Sequence, residues 1–196
     1  ADAVLSKHEY ATRAEIRASF EHVLESGEVV SAEYVVVKAK TELVEEVLRV
    51  SFTGVTACPC VQRVYSYVES CPLESTPTHL QRSVLTITVK SSNPIQLDPL
   101  EVYRVCRRAF SNTLASKLKR LEEYAHVKQT VSNPRFVEDV ARVAVKLFVE
   151  AFSNMLRESD KLAVEVDSFE SIHVFDTHAT VENTIAEFKR ELGINS

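Results

Sequence analysis

Cys58-Pro59-Cys60, then His79, and much later Glu170-Ser171-Ile172-His173 carry the side chains most able to do chemistry in this chain. Thiolate, imidazole and carboxylate together hold catalytic Zn2+ or Fe2+. Three such groups far apart in sequence point to a metal site built by folding. Pro59 fits the first turn of a helix, where its missing N–H would have no partner anyway. The partial positive charge at such a helix start favours the thiolate of Cys58 or Cys60. The C-x-C spacing does not match a closed structural zinc site.

Each group also has a plain structural reading when taken alone. Free cysteines are often small core residues. His79 could be a surface histidine at a strand entry, and a lone E-x-x-H is usually a solvated carboxylate beside a hydrogen-bonded histidine. By strand alternation, His79 and Gln81 share one face. Lys119-Arg120-Leu121-Glu122-Glu123 reads first as a solvated helix face, although basic residues beside carboxylates could serve a phosphate and a metal. Glu138 reads as an acid near the positive end of a helix. His8, His22, His126 and His178 have no evident partner in the sequence and read as surface residues.

The elements that must position these groups can be read from periodicity. Arg13 to Leu24, with Ile16, Phe20, Val23 and Leu24, predicts a short amphipathic helix. Val29-Val30, Tyr34 to Ala39, and Glu46 to Val55 predict strands. Cys58-Pro59-Cys60 opens a helix with Val61, Val64, Tyr65 and Val68 on its apolar stripe. Pro72 and Pro77 bracket a loop, and Ser83 to Ser91 predicts a strand. Asp98-Pro99-Leu100-Glu101 is a strong helix start, and its apolar positions run on through Leu121 for about seven turns. Asn133-Pro134 predicts the start of a second long helix, through Met155. Lys161 to Phe169 alternates as a strand, and Val181 to Leu192 reads as a last helix. Strands, two long helices, then a strand make an α+β fold with helices on one face of an antiparallel sheet.

Composition narrows the function classes. The 196 residues are 45% hydrophobic and 26% charged, an ordinary globular balance. The net charge of −5 argues against a protein that coats nucleic acid. No run approaches a membrane span, and no secretory signal is visible, so no membrane partner is expected. The four cysteines read as reduced thiols in a cytoplasm. Only three glycines occur, which implies either a chain almost wholly in helix and strand or missing flexible loops.

Taken together, Thr53-Gly54-Val55-Thr56-Ala57-Cys58-Pro59-Cys60, His79-Leu80-Gln81-Arg82-Ser83, Lys119-Arg120 with Glu122-Glu123, Asn133-Pro134-Arg135-Phe136-Val137-Glu138-Asp139 and Phe169-Glu170-Ser171-Ile172-His173 resemble the type IB GTP cyclohydrolase family, with its archaeal MptA-type branch. The resemblance implies a tunnelling fold (T-fold), in which antiparallel sheets carry paired helices. It implies a single cyclohydrolase region over 1–196, with two such units, about 1–92 and 93–196, and a homotetramer. The implied activity is opening of the GTP imidazole ring at C8 with loss of formate. The product would be a 7,8-dihydroneopterin phosphate, a 2',3'-cyclic phosphate in the archaeal branch, for methanopterin or folate-type pterins.

By the same resemblance Cys58, Glu123, Glu170 and His173 would hold the metal, with Fe2+ favoured and Zn2+ or Mn2+ as alternatives. Cys60 and His79 would stand beside it and move protons. Glu138 would anchor the guanine edge, and Arg82, Lys119 and Arg120 would meet the phosphates. The sequence departs from the family pattern at Leu80 within the His79 motif. It departs again at Phe175, where many archaeal members carry a second histidine. Two other readings stand beside this one: a non-catalytic metal-binding assembly protein of the same fold, and a related enzyme acting on another purine or pterin.

Overall fold

The computed structural model describes residues 1–194. After a short helix α1 (Asp2–Lys7) come three long strands, β1 (Arg13–Val23), β2 (Val29–Ala39) and β3 (Leu43–Ala57). Helix α2 (Pro59–Glu69) leads to β4 (Leu80–Ser91), then to α3 (Pro99–Cys106), the two-residue β5 (Asn112–Thr113) and α4 (Arg120–Ser132). The chain ends with α5 (Val137–Phe152), β6 (Lys161–Phe169), β7 (Thr177–Thr184) and α6 (Ile185–Leu192). Among the described residues the seven strands form one sheet, ordered β1-β2-β3-β4-β6-β7, with β5 added to β3. All its pairings are antiparallel.

One face of the sheet makes the core. Val30, Val50, Phe52, Leu85, Ile87, Val164 and Val166 lie on it in register and pack against Val102 and Cys106 of α3 and Val140, Ala144 and Phe148 of α5. The β4–β6 pairing joins the first and second halves of the chain in this one sheet. Gly54 is needed where Phe110 crosses the sheet, since a Cβ there would stand 2.2 Å from the ring. Burial of Cys106 pushes its thiol up to about 12, so it stays a neutral core group. No helix among the described residues is long and apolar enough to cross a membrane.

The α+β class and the strand Lys161–Phe169 agree with expectation, and three predicted elements away from the cleft do not. Arg13–Leu24 is the edge strand β1 rather than a helix. Ala14, Ile16, Ala18 and Phe20 alternate with Arg13, Glu15, Arg17 and Ser19 along it, the period of a strand, although most of its residues are exposed. The helix expected from Asp98 through Leu121 stops at Cys106. Asp98 caps it as expected, its carboxylate accepting from Leu100 N at 2.9 Å. Beyond it, Asn112 and Thr113 instead pair with Val55 and Gly54 of β3, and a new helix starts at Arg120. The tail is also divided: Val181–Thr184 belongs to β7 and only Ile185–Leu192 is helical, because Thr184 caps the helix there through Glu187 N.

Candidate active-site cleft

Backbone pairing puts the chemical groups together. Strands β3 and β4 run antiparallel to their shared end at Ala57 and Leu80, so Cys58 and His79 face each other just beyond it. Cys58 N donates to the His79 carbonyl at 3.2 Å, and Thr78 Oγ1 donates to the Cys58 carbonyl at 2.7 Å. Cys58 is the N-cap of α2, with Pro59 at the first helical position as expected. On the other side of β4, Arg82 pairs with Phe169 of β6, which delivers Glu170 beside Gln81.

Helix α5 is brought in by Arg135. Its N–H donates to the Ala57 carbonyl at 3.0 Å, and its Nη1 donates to the Ala109 carbonyl at 2.7 Å. Burial lowers the Arg135 guanidinium from its usual value, against the opposing charge of Asp139. Because Arg135 is extended in this bridge, the helix cannot begin at Asn133-Pro134. It begins at Val137, and Asn133 spends its amide on the Ser111 carbonyl at 3.1 Å. Glu138 then sits in the first turn of α5.

The result is a cleft of about 330 Å³ lined by Cys58, His79, Gln81, Arg135, Glu138, Glu170, His173, Phe175, Thr177 and His178. Inside it a hydrogen-bond chain is laid out. Glu170 Oε1 accepts from Gln81 Nε2 at 3.3 Å and from Thr177 Oγ1 at 3.0 Å. Gln81 Oε1 lies 3.0 Å from His79 Nδ1, and Ser171 Oγ lies 3.4 Å from the same nitrogen. His79 Nε2 is buried and has no hydrogen-bond partner among the described residues. His173 stands edge-on to His79, ring centroids 6.1 Å apart, and stacks on Phe175 at 5.1 Å. Asp176 accepts from Glu170 N at 3.0 Å and so closes the loop that carries His173.

Five expected site residues therefore share one cleft: Cys58, His79, Glu138, Glu170 and His173. The other five line it nowhere. Cys60 is exposed on the first turn of α2, and Glu123, Lys119 and Arg120 are exposed at the start of α4. Arg82 lines a separate cleft with Gly27, Glu28 and Ser116. The structure adds residues that sequence reasoning passed over. Thr177 and His178 enter only through the β6–β7 register, which sets His178 opposite Asp167. His178 Nδ1 is 2.7 Å from that carboxylate, so the histidine has a partner after all. Gln81 had a signal, its place on the face of His79, but no visible second partner.

The donor types in the cleft fit a divalent transition ion. A soft thiol, two imidazoles and a carboxylate suit Fe2+ or Zn2+, and the buried His79 Nε2 lacks a partner among the described residues. Among the described residues no three His, Cys, Asp or Glu side chains already converge as a ligand set. His173 rides on an exposed loop.

Comparison with known proteins gives this cleft its context. The family model "Type I GTP cyclohydrolase folE2" matches residues 1–179. GTP cyclohydrolase MptA of Korarchaeum cryptofilum is 30% identical over 192 residues, covering 96% of this chain and 67% of that protein. GTP cyclohydrolase MptA of Methanococcus maripaludis strain C5 is 27% identical over 218 residues, covering 96% and 69%. GTP cyclohydrolase MptA 1 of Methanocella arvoryzae is 28% identical over 219 residues, covering 96% and 68%. The chain spans about two thirds of the length of these relatives. With the family match running from residue 1 through the cleft residues to 179, the chain belongs to the type I GTP cyclohydrolase family.

Proposed function

We propose that this protein is a metal-dependent GTP cyclohydrolase that opens the imidazole ring of GTP at C8. One water opens the C8–N9 bond and a second breaks C8–N7, so that the carbon leaves as formate. The ribose then rearranges to a 2'-ketone, and the freed N7 amine closes on it with loss of one water, the 2',3'-cyclic form arising with release of pyrophosphate. The product is a 7,8-dihydroneopterin phosphate for pterin synthesis. The likeness to MptA-named archaeal proteins supports the 2',3'-cyclic form. The observation that carries the reading is the joining of Cys58, His79, Glu170 and His173 with Glu138 in one cleft of a family member.

Cys58, Glu170 and His173 would hold the ion, Fe2+ by preference. A bound ion supplies hydroxide near neutral pH by lowering the pKa of its water towards about 7. The remaining work falls to the chain itself. Glu138 accepts hydrogen bonds from the guanine N1–H and 2-amino group, which fixes the purine and points C8 across the cleft. Charge-assisted bonds of this kind are the strong ones. His79 takes and returns protons at its Nε2, the part histidine most often plays in general acid–base catalysis. Arg135 keeps Glu138 at a set distance from Cys58 by tying α5 to the end of β3.

The reading also includes a T-fold subunit of two units, about 1–92 and 93–196, and a homotetramer. The single antiparallel sheet with helices packed on it supports the T-fold class. Apolar side chains left on the surface support the homotetramer: Tyr67 of α2 is 86% exposed and Leu121 of α4 is 82% exposed. In assembly, Glu123, Cys60, Lys119 and Arg120 would act from surfaces outside this cleft.

The test is anaerobic incubation of metal-stripped protein with GTP, with and without Fe2+, Zn2+ or Mn2+, assaying formate and pterin. Metal-dependent formate is expected. No formate from folded, metal-loaded protein would rule the reading out and favour a non-catalytic binding protein.

A further inference from the structure

We infer that Gln81 is a positioning residue that decides which nitrogen His79 presents to the cleft. An ionised carboxylate can only accept hydrogen bonds, whereas a glutamine amide has one accepting and one donating end. Glu170 Oε1, 3.3 Å away, therefore takes the Nε2–H2 end of Gln81. The amide oxygen is left facing His79 Nδ1 at 3.0 Å. An oxygen without hydrogen cannot donate, so Nδ1 must carry the proton. A neutral imidazole has one N–H, and the lone pair is thereby placed on Nε2.

The surroundings hold this chain in place. Gln81 sits in β4, paired with Thr56 of β3, where its backbone has no freedom to turn. Thr177 Oγ1 donates to the same Glu170 oxygen at 3.0 Å and fixes the carboxylate from the other side. Ser171 Oγ, 3.4 Å from Nδ1, can accept from it weakly. The remaining nitrogen, Nε2, is buried with no partner among the described residues. A buried polar atom left unpaired is unfavourable, and the fold keeps this one at the lining of the cleft. In the opposite tautomer, Nδ1 and the glutamine oxygen would repel each other, and Nε2–H would be a donor with nothing to meet.

The use of that lone pair rests on the cyclohydrolase reading; the hydrogen-bond chain that creates it does not. The two are separable by experiment. Nitrogen-15 NMR of histidine-labelled, metal-free protein, above the titration range of imidazole, reads the tautomer directly. The His79 signals are assigned from their loss in His79→Gln. Wild type is expected to show a protonated Nδ1 and a bare Nε2. Gln81→Leu should shift the balance towards Nε2–H, and adding Ser171→Ala should complete the shift. If formate release is observed, Gln81→Leu should lower kcat by about 10–100-fold, the usual cost of losing a group that orients a site histidine. KM for GTP should stay near wild type. A wild type with Nε2–H overturns the inference, as does a folded double variant whose tautomer is unchanged. Absence of formate with the expected tautomer would sink the enzyme reading and leave this one standing.

Discussion

The sheet core and the cleft are built from the same strands yet obey different rules. In the core, Leu85, Ile87, Val164 and Phe148 are fully buried, and each has apolar neighbours on every side. A few residues beyond those strands, His79 has a buried nitrogen without a partner among the described residues, and Phe175 and Ile172 face solvent. The core is complete as it stands. The cleft is held by polar ties to its frame, Arg135 to Ala57 and Asp176 to Glu170, while its working atoms are left unfilled. Unpaired groups survive in folded proteins only where the surrounding structure compensates for them, and here the β3–β4–β6 ladder does so.

If the two regions are truly separate, substitutions should lose activity in one and stability in the other. The largest effect is expected at His79. His79→Gln should reduce formate release by about 10²–10⁴-fold, the usual contribution of a positioned acid–base group. Its urea unfolding midpoint should match wild type, because no core contact is lost. A midpoint that falls with the activity would merge the two regions. Glu138→Gln comes next. Losing a hydrogen bond to a charged group costs about 1.5–3 kcal/mol, and steady-state kinetics with GTP should show that loss in kcat/KM without loss of fold.

Gly54→Ala should act in the opposite sense. The new methyl meets the Phe110 ring, and overpacking of this kind costs about 1–3 kcal/mol. Thermal unfolding should report it, with activity per folded molecule little changed. The smallest effect is set by pH. Burial raises Glu46, although a hydrogen bond from the Ile95 backbone opposes it. Its folded form holds a proton more tightly than its unfolded form, so ionisation works against folding as pH rises. Glu46→Gln should therefore stabilise the protein slightly near neutral pH, and the gain should vanish below about pH 4, where the free carboxyl is protonated in both states. A gain that grows in acid would contradict the assignment.

How much of this was legible beforehand follows the same division. β6 could be read from its alternation because one of its faces is buried and the other is not. β1 alternates too, Ala14, Ile16, Ala18 and Phe20 against Arg13, Glu15, Arg17 and Ser19, but Ile16, Phe20, Val23 and Leu24 also fit a helical stripe, and only the pairing with β2 decides between the two periods. Cys58, His79, Glu138, Glu170 and His173 announce themselves by residue type and motif. The parts of Gln81, Thr177, Arg135 and His178 depend on which residues lie opposite across a ladder. Gln81 faces Thr56 and His178 faces Asp167 only through register, and register is a property of the folded sheet. The helix expected through Leu121 failed for a related reason: the Asn112–Thr113 bridge to Gly54 and Val55 is a long-range pairing that overrides local propensity.

The measurement that bears most directly on the central claim is single-turnover formate release from GTP by Fe2+-reconstituted protein, wild type against Cys58→Ser. The account predicts metal-dependent formate, one per GTP consumed, from wild type. The variant should be folded, should still bind GTP through Glu138, and should release almost none. Turnover by Cys58→Ser at the wild-type rate would contradict the account, because the cleft would then not be where the ring is opened.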